Sequence, residues 1–189
     1  MFLDGIDGRQ LRYSEIPSRS GQMLSLLQRH GVEKGDRVVA QVDKSIEAVL
    51  LYLACLRAGA IYIPLNTAYT PAEVGYFLDD ATPRLFVCTP AKKADLEAVA
   101  RDRGVAAVLS LGGAGEGELV DALASQPASD EVVQVEADEL ASILYTSGTT
   151  GRSKGAMLSH ANLASNAEVL FVTWQWQHDD VLLHALPIF

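Results

Sequence analysis

Residues 143–155 of the chain read ILYTSGTTGRSKG. After the apolar start come hydroxyl side chains, glycines and the cations Arg152 and Lys154, with no carboxylate among them. Glycine lets the backbone approach a ligand closely, so several N–H groups can converge on phosphate oxygens. Serine and threonine add hydrogen-bond donors, and lysine adds a mobile positive charge. The stretch therefore predicts a loop that binds a polyanion.

Apolar segments flank this loop on both sides. We expect a strand over residues 140–145 and another over 155–159, so that the loop joins a hairpin-like pair. Tyr145 is interpreted as a packing residue at the end of the first strand. A helix is expected to begin at Ser159 or His160, with His160 as a helix-start residue and not a catalytic base. Its predicted inner face carries Leu163, Ala167, Leu170 and Trp174.

Upstream of the loop, strand-like runs alternate with helical patterns. The predicted strands cover residues 11–13, 37–42, 60–65, 84–88 and 105–111. The predicted helices are one capped by Ser14 and ending at Gly31, one over 45–58, one from Thr70, and one over 89–104. This alternation predicts an α/β fold: a mostly parallel sheet with right-handed helical crossovers.

The clearest helix start is the sequence Thr70-Pro71-Ala72-Glu73. Thr70 is expected to cap the helix, Pro71 to take its first position, and Glu73 to complete a capping box. Residues 125–138 are polar and acidic, and we interpret them as a linker that runs over the surface.

Composition limits the function. The net charge is −9, which argues against a nucleic-acid partner because phosphate backbones are bound by basic surfaces. The longest dense apolar run, residues 48–56, is too short to span a membrane, and no signal peptide is visible. Cys55 and Cys88 lie in apolar segments without metal-ligand spacing, so we expect buried thiols in a reducing cytoplasm.

Two common nucleotide-binding loops are disfavoured. A Walker loop needs a lysine directly after a glycine, whereas Ser153 precedes Lys154 here. The glycine-rich residues 112–117 lack the third glycine of a dinucleotide loop and carry Glu116, so we interpret them as a surface loop. Likewise, Asp179-Asp180 is interpreted as a turn and not as a metal-binding pair.

At Tyr145 to Gly155 the sequence resembles the signature Y-T-S-G-T-T-G-x-P-K-G of the AMP-forming adenylate enzymes. This family comprises acyl-CoA synthetases, luciferases and adenylation domains of peptide synthetases. Ser153 replaces the usual proline, which leaves the backbone less restricted but removes no donor. Three upstream segments resemble family motifs in the same order: LRYSEI at 11–16, GDRV at 35–38 and LRAGAIYIPLN at 56–66.

Within the family, the sequence resembles the malonyl-CoA synthetase branch. The similar segments are LNTAYT at 65–70, TGRSKGAMLSH at 150–160 and LHALP at 183–187. The resemblance implies a two-step ligase in which a carboxylate, malonate or a related acid, attacks ATP to give an acyl-adenylate and pyrophosphate. The CoA thiol then displaces AMP.

The resemblance also implies roles for the loop, with Lys154 as the catalytic residue. The residues predicted to bind ATP phosphates are Thr146, Ser147, Gly148, Thr149, Thr150, Gly151, Arg152, Ser153 and Lys154. Mg²⁺ is expected to share the phosphate charge, with a loop hydroxyl such as Thr149 or Thr150 near it. No residue is assigned as a metal ligand.

The chain stops inside an apolar run that begins at Val181 and that we interpret as a strand containing His184. We expect residues 1–189 to be a truncated N-terminal portion of the AMP-binding domain, inactive alone, because the family's adenine, second metal and CoA contacts lie downstream. Three alternatives stay open: another acyl- or aryl-CoA synthetase, a remnant that only binds nucleotide phosphate, and self-association through the apolar run. The oligomeric state is not predicted.

Overall fold

A computed structural model of the protein describes residues 1–5, 7–146 and 153–188. The chain begins with an antiparallel pair, β1 (Leu3–Asp4) and β2 (Gln10–Leu11). A 3₁₀ turn (Tyr13–Glu15) then leads into α1 (Ile16–Arg29). The predicted strand and Ser14 cap are displaced because the Arg12 N–H donates to the Glu15 carboxylate, 2.8 Å away, and closes a turn there.

A six-stranded sheet follows, in the order β6-β5-β3-β4-β7-β8. Its strands are β3 (Arg37–Gln41), β4 (Ile61–Pro64), β5 (Leu85–Cys88), β6 (Ala107–Ser110), β7 (Leu140–Thr146) and β8 (Lys154–Ser159). All neighbouring pairs are parallel except β7 with β8. The predicted fold class, a mostly parallel α/β sheet with helical crossovers, is confirmed.

In the described part of the chain, five further helices connect or follow these strands. They are α2 (Ile46–Ala58), α3 (Pro71–Ala81), α4 (Lys93–Arg101), α5 (Glu118–Leu123) and α6 (His160–Thr173). The sequence pattern does not predict α5, a helix of six residues that is too short to show a helical period. The helix predicted from residue 89 begins later, at Lys93, because residues 90–92 form a 3₁₀ turn before α4.

Both faces of the sheet are buried, which explains why its central strands show no alternation of apolar and polar residues. On one face, Val38 and Ala40 of β3 pack with α1 and α2. On the other, Val39 packs with buried residues of α3 and α4. Helix α2 is accordingly apolar on nearly all sides, capped by Ser45 and ended by Gly59 in the left-handed conformation.

Residues 125–138 contain no strand or helix, as predicted for a linker. The Arg57 guanidinium holds this linker by donating to the Ser129 carbonyl at 2.6 Å, and Val133 N–H donates to the Arg57 carbonyl at 2.8 Å. A Cβ on Gly21 of α1 would lie 2.3 Å from the Ser129 carbonyl oxygen. The close approach of the linker to α1 therefore requires glycine at this position.

The end of the chain differs from the prediction. Residues 181–188 form no strand, and the Lys44 ammonium donates to the carbonyls of His184 (2.7 Å) and Leu186 (2.9 Å). Within the described residues of α6 no side chain is buried, so the predicted inner face is only partly covered. Among the described residues, no helix combines the length and apolar character needed to cross a membrane.

Candidate functional site

The predicted loop joins β7 and β8, and its two ends lie side by side. Tyr145 is paired with Gly155, and Thr146 with Lys154. Because β7 runs parallel to β4, Thr146 lies at the carboxyl end of a parallel strand, the edge where open α/β sheets bind ligands. The hairpin-like pair expected from sequence is therefore present, with β8 as an edge strand.

Three of the predicted site residues are brought together by this pairing: Thr146, Ser153 and Lys154. The other six, Ser147, Gly148, Thr149, Thr150, Gly151 and Arg152, lie outside the described residues. Thr146 and Lys154 are exposed. The ion pairs formed among the described residues do not include Lys154. An exposed ammonium at the base of a loop rich in donors fits a polyphosphate ligand.

Helix α3 supports both arms of the hairpin. Tyr76 donates its hydroxyl to the Ser153 carbonyl at 2.9 Å, and Tyr145 donates its hydroxyl to the Asp80 carboxylate at 2.6 Å. Tyr76 and Asp80 were not predicted from sequence to support the site. The available signal was their spacing of four residues, which places both on the same face of a helix.

Tyr145 also packs in an aromatic cluster, as its interpretation as a packing residue requires. Its ring lies 4.6 Å from that of Phe77, which in turn lies 4.9 Å from Tyr69 and 5.4 Å from Tyr76. Burial and then the hydrogen bond to Asp80 raise the pKa of the Tyr145 phenol above its ordinary value. Tyr145 therefore stays protonated at neutral pH and acts as a hydrogen-bond donor.

Gly155 is needed for the pairing itself. A Cβ at this position would lie 2.7 Å from Cγ2 of Ile143, closer than side chains approach one another.

Beside the paired strands β7 and β8 is a depression of about 310 Å³ whose lining includes Arg37, Thr82 and Met157. The Arg37 guanidinium is already hydrogen-bonded within the protein, since it donates to the carbonyls of Ala81 and Thr82.

A second depression, of about 420 Å³, lies between the end of α1 and the linker, where Lys34 and Glu131 line it. The described residues also contain no group of three or more His, Cys, Asp or Glu side chains that could hold a metal ion. His160 begins α6, with Ser159 as the cap, as predicted.

Comparison with known proteins identifies the family. The model of the family described as "AMP-binding enzyme" matches residues 2–189. The chain belongs to that family. It is 33% identical to 4-coumarate–CoA ligase 3 of Oryza sativa subsp. japonica, over 100% of this chain and 35% of that protein. It is 34% identical to feruloyl-CoA synthase of an Amycolatopsis species, over 96% of this chain and 35% of the relative.

Solved structures agree with this assignment. Apo MatB from Rhodopseudomonas palustris is 49% identical with a TM-score of 0.93, over 98% of this chain and 36% of MatB. The ATP-bound form of MatB is 50% identical with a TM-score of 0.94, over 98% of this chain and 37% of MatB. The chain thus spans about a third of the length of these relatives.

Proposed function

We propose that residues 1–189 form the N-terminal portion of the AMP-binding domain of an ATP-dependent, AMP-forming CoA ligase. The observation that carries this proposal is the pairing of Thr146 with exposed Lys154 at the base of a loop with the family's signature. The family match over residues 2–189 and the similarity to an ATP-bound structure support it.

In this proposal, Lys154 binds the β- and γ-phosphates of ATP while a substrate carboxylate attacks the α-phosphate. The ammonium then neutralises charge that accumulates on the departing pyrophosphate. Loop hydroxyls and backbone N–H groups donate to the same oxygens. Mg²⁺, when bound, would supply further neutralisation of the phosphate charge. CoA enters at the second step, when its thiol displaces AMP.

The first test is an ATP titration of this chain by calorimetry. We expect saturable binding and a loss of about tenfold or more in affinity in Lys154→Ala, since a charged hydrogen bond is removed. Arg101→Ala is the matched control, because Arg101 is exposed on α4 and away from the hairpin. No saturable binding by the unaltered chain, or an equal loss in both variants, argues against the proposal.

Malonate is the proposed acyl substrate. The segments at 65–70, 150–160 and 183–187 that resemble the malonyl-CoA synthetase branch support this choice. The chain is also 49–50% identical to MatB, compared with 27–34% for relatives named as ligases of coumarate, ferulate or fatty acids. Pyrophosphate release by a full-length protein containing this segment, compared across malonate, acetate and benzoate, tests the choice. Faster release with acetate or benzoate would point to another acyl- or aryl-CoA synthetase.

We further propose that the 189 residues alone form no thioester, and that the protein works in a reducing cytoplasm. The free, buried thiols Cys55 and Cys88 support the second point. Incubation of the chain with malonate, ATP and CoA is expected to give no malonyl-CoA above a variant lacking the loop. Product above that control contradicts the proposal of inactivity.

A further inference from the structure

Tyr76 contacts the end of the loop that leads into β8 and Lys154. Its hydroxyl donates to the carbonyl of Ser153, the residue before Lys154, at 2.9 Å. The strand ladder begins only at the pair of Thr146 with Lys154, and the hydrogen bonds described outside helices and strands include no backbone bond of Ser153. Within the described residues, Tyr76 is therefore the contact that holds the Ser153 peptide in place.

The Tyr76 side chain is itself firmly held. Its ring contacts Phe77 edge-on, with 5.4 Å between ring centroids. Helix α3, which carries it, is fixed to the sheet by Val74, Phe77 and Leu78, all 2% exposed or less. A hydroxyl on a rigid helix positions its partner more accurately than one on a loop does.

The second contact of α3 with the hairpin, the hydrogen bond of Asp80 with Tyr145, lies within the strand ladder and not beside it. Asp80 accepts from Tyr145, but Tyr145 also lies within the ladder, paired with Gly155. Loss of the Asp80 bond therefore leaves the Tyr145 backbone held by its strand, whereas loss of the Tyr76 bond leaves Ser153 without its described partner. The two tyrosines thus form a matched pair of variants with different expected effects.

We propose that Tyr76 is a positioning residue for the phosphate loop, holding the Ser153 carbonyl and thereby orienting the end of the loop that leads into Lys154. This role rests on the proposed ATP binding, while the anchoring of Ser153 stands without it. Serine in place of the family's usual proline leaves the peptide before Lys154 freer to rotate, so an external anchor has more effect here.

Limited trypsin digestion of the intact chain tests the anchor. Cleavage after Lys154 requires the hairpin to open locally, so its rate reports the free energy of that opening. Because the Tyr76→Phe change removes one hydrogen bond and keeps the ring, we expect cleavage at Lys154–Gly155 to rise about 3- to 10-fold. Tyr145→Phe is expected to give a smaller rise, and Tyr52→Phe on α2 serves as the control, with the melting temperature recorded for each variant.

ATP affinity of the same variants tests the positioning role, since fold stability alone does not change affinity while the chain stays folded. We expect Tyr76→Phe to bind ATP about threefold more weakly or worse, and Tyr52→Phe to bind it as the unaltered chain does. An unchanged cleavage rate in Tyr76→Phe overturns the anchor. Faster cleavage with unchanged ATP affinity overturns the positioning role. If the unaltered chain binds no ATP, the proposed function fails, and the cleavage rates still decide the anchor.

Discussion

The two cysteines show how far burial alone determines the chemistry of a side chain. Both are free and fully buried, as their apolar surroundings predicted. Burial, opposed by the charge of Lys93, raises the pKa of Cys88 to about 12, and burial also raises that of Cys55. Thiolate is the reactive form of cysteine, so neither residue is a nucleophile at neutral pH.

We therefore expect iodoacetamide to modify neither cysteine in the native chain at about pH 8, a pH at which an exposed thiol reacts readily. In urea both residues become accessible and regain ordinary pKa values, so both should be alkylated. Mass spectrometry of native and unfolded samples measures this. Native alkylation of Cys88 as fast as in urea would contradict its burial.

The capping box at Thr70 was predicted from sequence and is confirmed. Thr70 accepts from the Glu73 N–H at 3.4 Å, and the Glu73 carboxylate accepts from the Thr70 N–H at 2.8 Å, as a capping box requires. The chain contains a natural control in Thr89-Pro90, where the threonine side chain makes no capping bond.

Replacement of Thr70 by valine keeps the volume and removes the cap. We expect Thr70→Val to lower the free energy of unfolding by about 1 kcal/mol, with a much smaller change in Thr89→Val. Urea unfolding followed by circular dichroism measures both. Equal losses in the two variants would show that the threonine hydroxyl of the capping box contributes nothing specific.

A salt bridge between Lys93 and Glu118 joins α4 to α5. The hydrogen bond from Lys93 lowers the pKa of Glu118 below its ordinary value, and the bond to Glu118 raises the pKa of Lys93. Because the folded state binds the Glu118 proton less tightly than the unfolded state, the bridge stabilises the fold above the ordinary glutamate pKa. That contribution is lost as the pH falls through the lowered value, and again as the pH rises through the raised pKa of Lys93.

A double-mutant cycle with Lys93→Met and Glu118→Gln measures this contribution. Glu118 is half exposed, so solvent screening limits the expected coupling at neutral pH to less than about 1 kcal/mol. We expect the coupling to weaken as the pH falls through the lowered pKa of Glu118, because the protonated carboxyl carries no charge. A coupling that does not change as the solution is acidified would contradict an ionic origin.

Exposed apolar side chains are concentrated in the last third of the chain. Helix α6 carries Phe171 at 62% and Val172 at 71% exposure, and Val181 is 93% exposed beyond it. Strand β8, paired with β7 on one side, is also an edge strand of the described sheet, with Met157 67% exposed. Edges and apolar patches of this kind favour association.

We therefore predict that the 189-residue chain self-associates as its concentration rises, which sedimentation velocity would detect. Phe171→Glu should shift the equilibrium toward monomer by placing a charge in the apolar surface. Val132→Glu is the control, since Val132 is similarly exposed, at 59%, but lies on the linker. A monomer at all concentrations, or an equal effect of both variants, would contradict the prediction.

The sequence by itself determined most of the order of helices and strands, the capping box at Thr70, the parallel α/β class and the family. These features depend on local patterns: apolar period, capping residues and a contiguous signature motif. Two misses were also local in kind, the short helix α5 and the turn before α4, where too few residues repeat to show a period. The strand expected in the apolar run from Val181 is absent.

The tertiary structure alone decided which distant segments meet. It placed β3 between β5 and β4, and paired Thr146 with Lys154. It also set Tyr76 against Ser153, 77 positions along the chain, and Glu47 between Arg9 and Arg19. Such contacts depend on how helices pack on both sheet faces, and that packing cannot be predicted from local residue patterns. The loop's chemistry could therefore be inferred from its residues, but the support that holds its base could not.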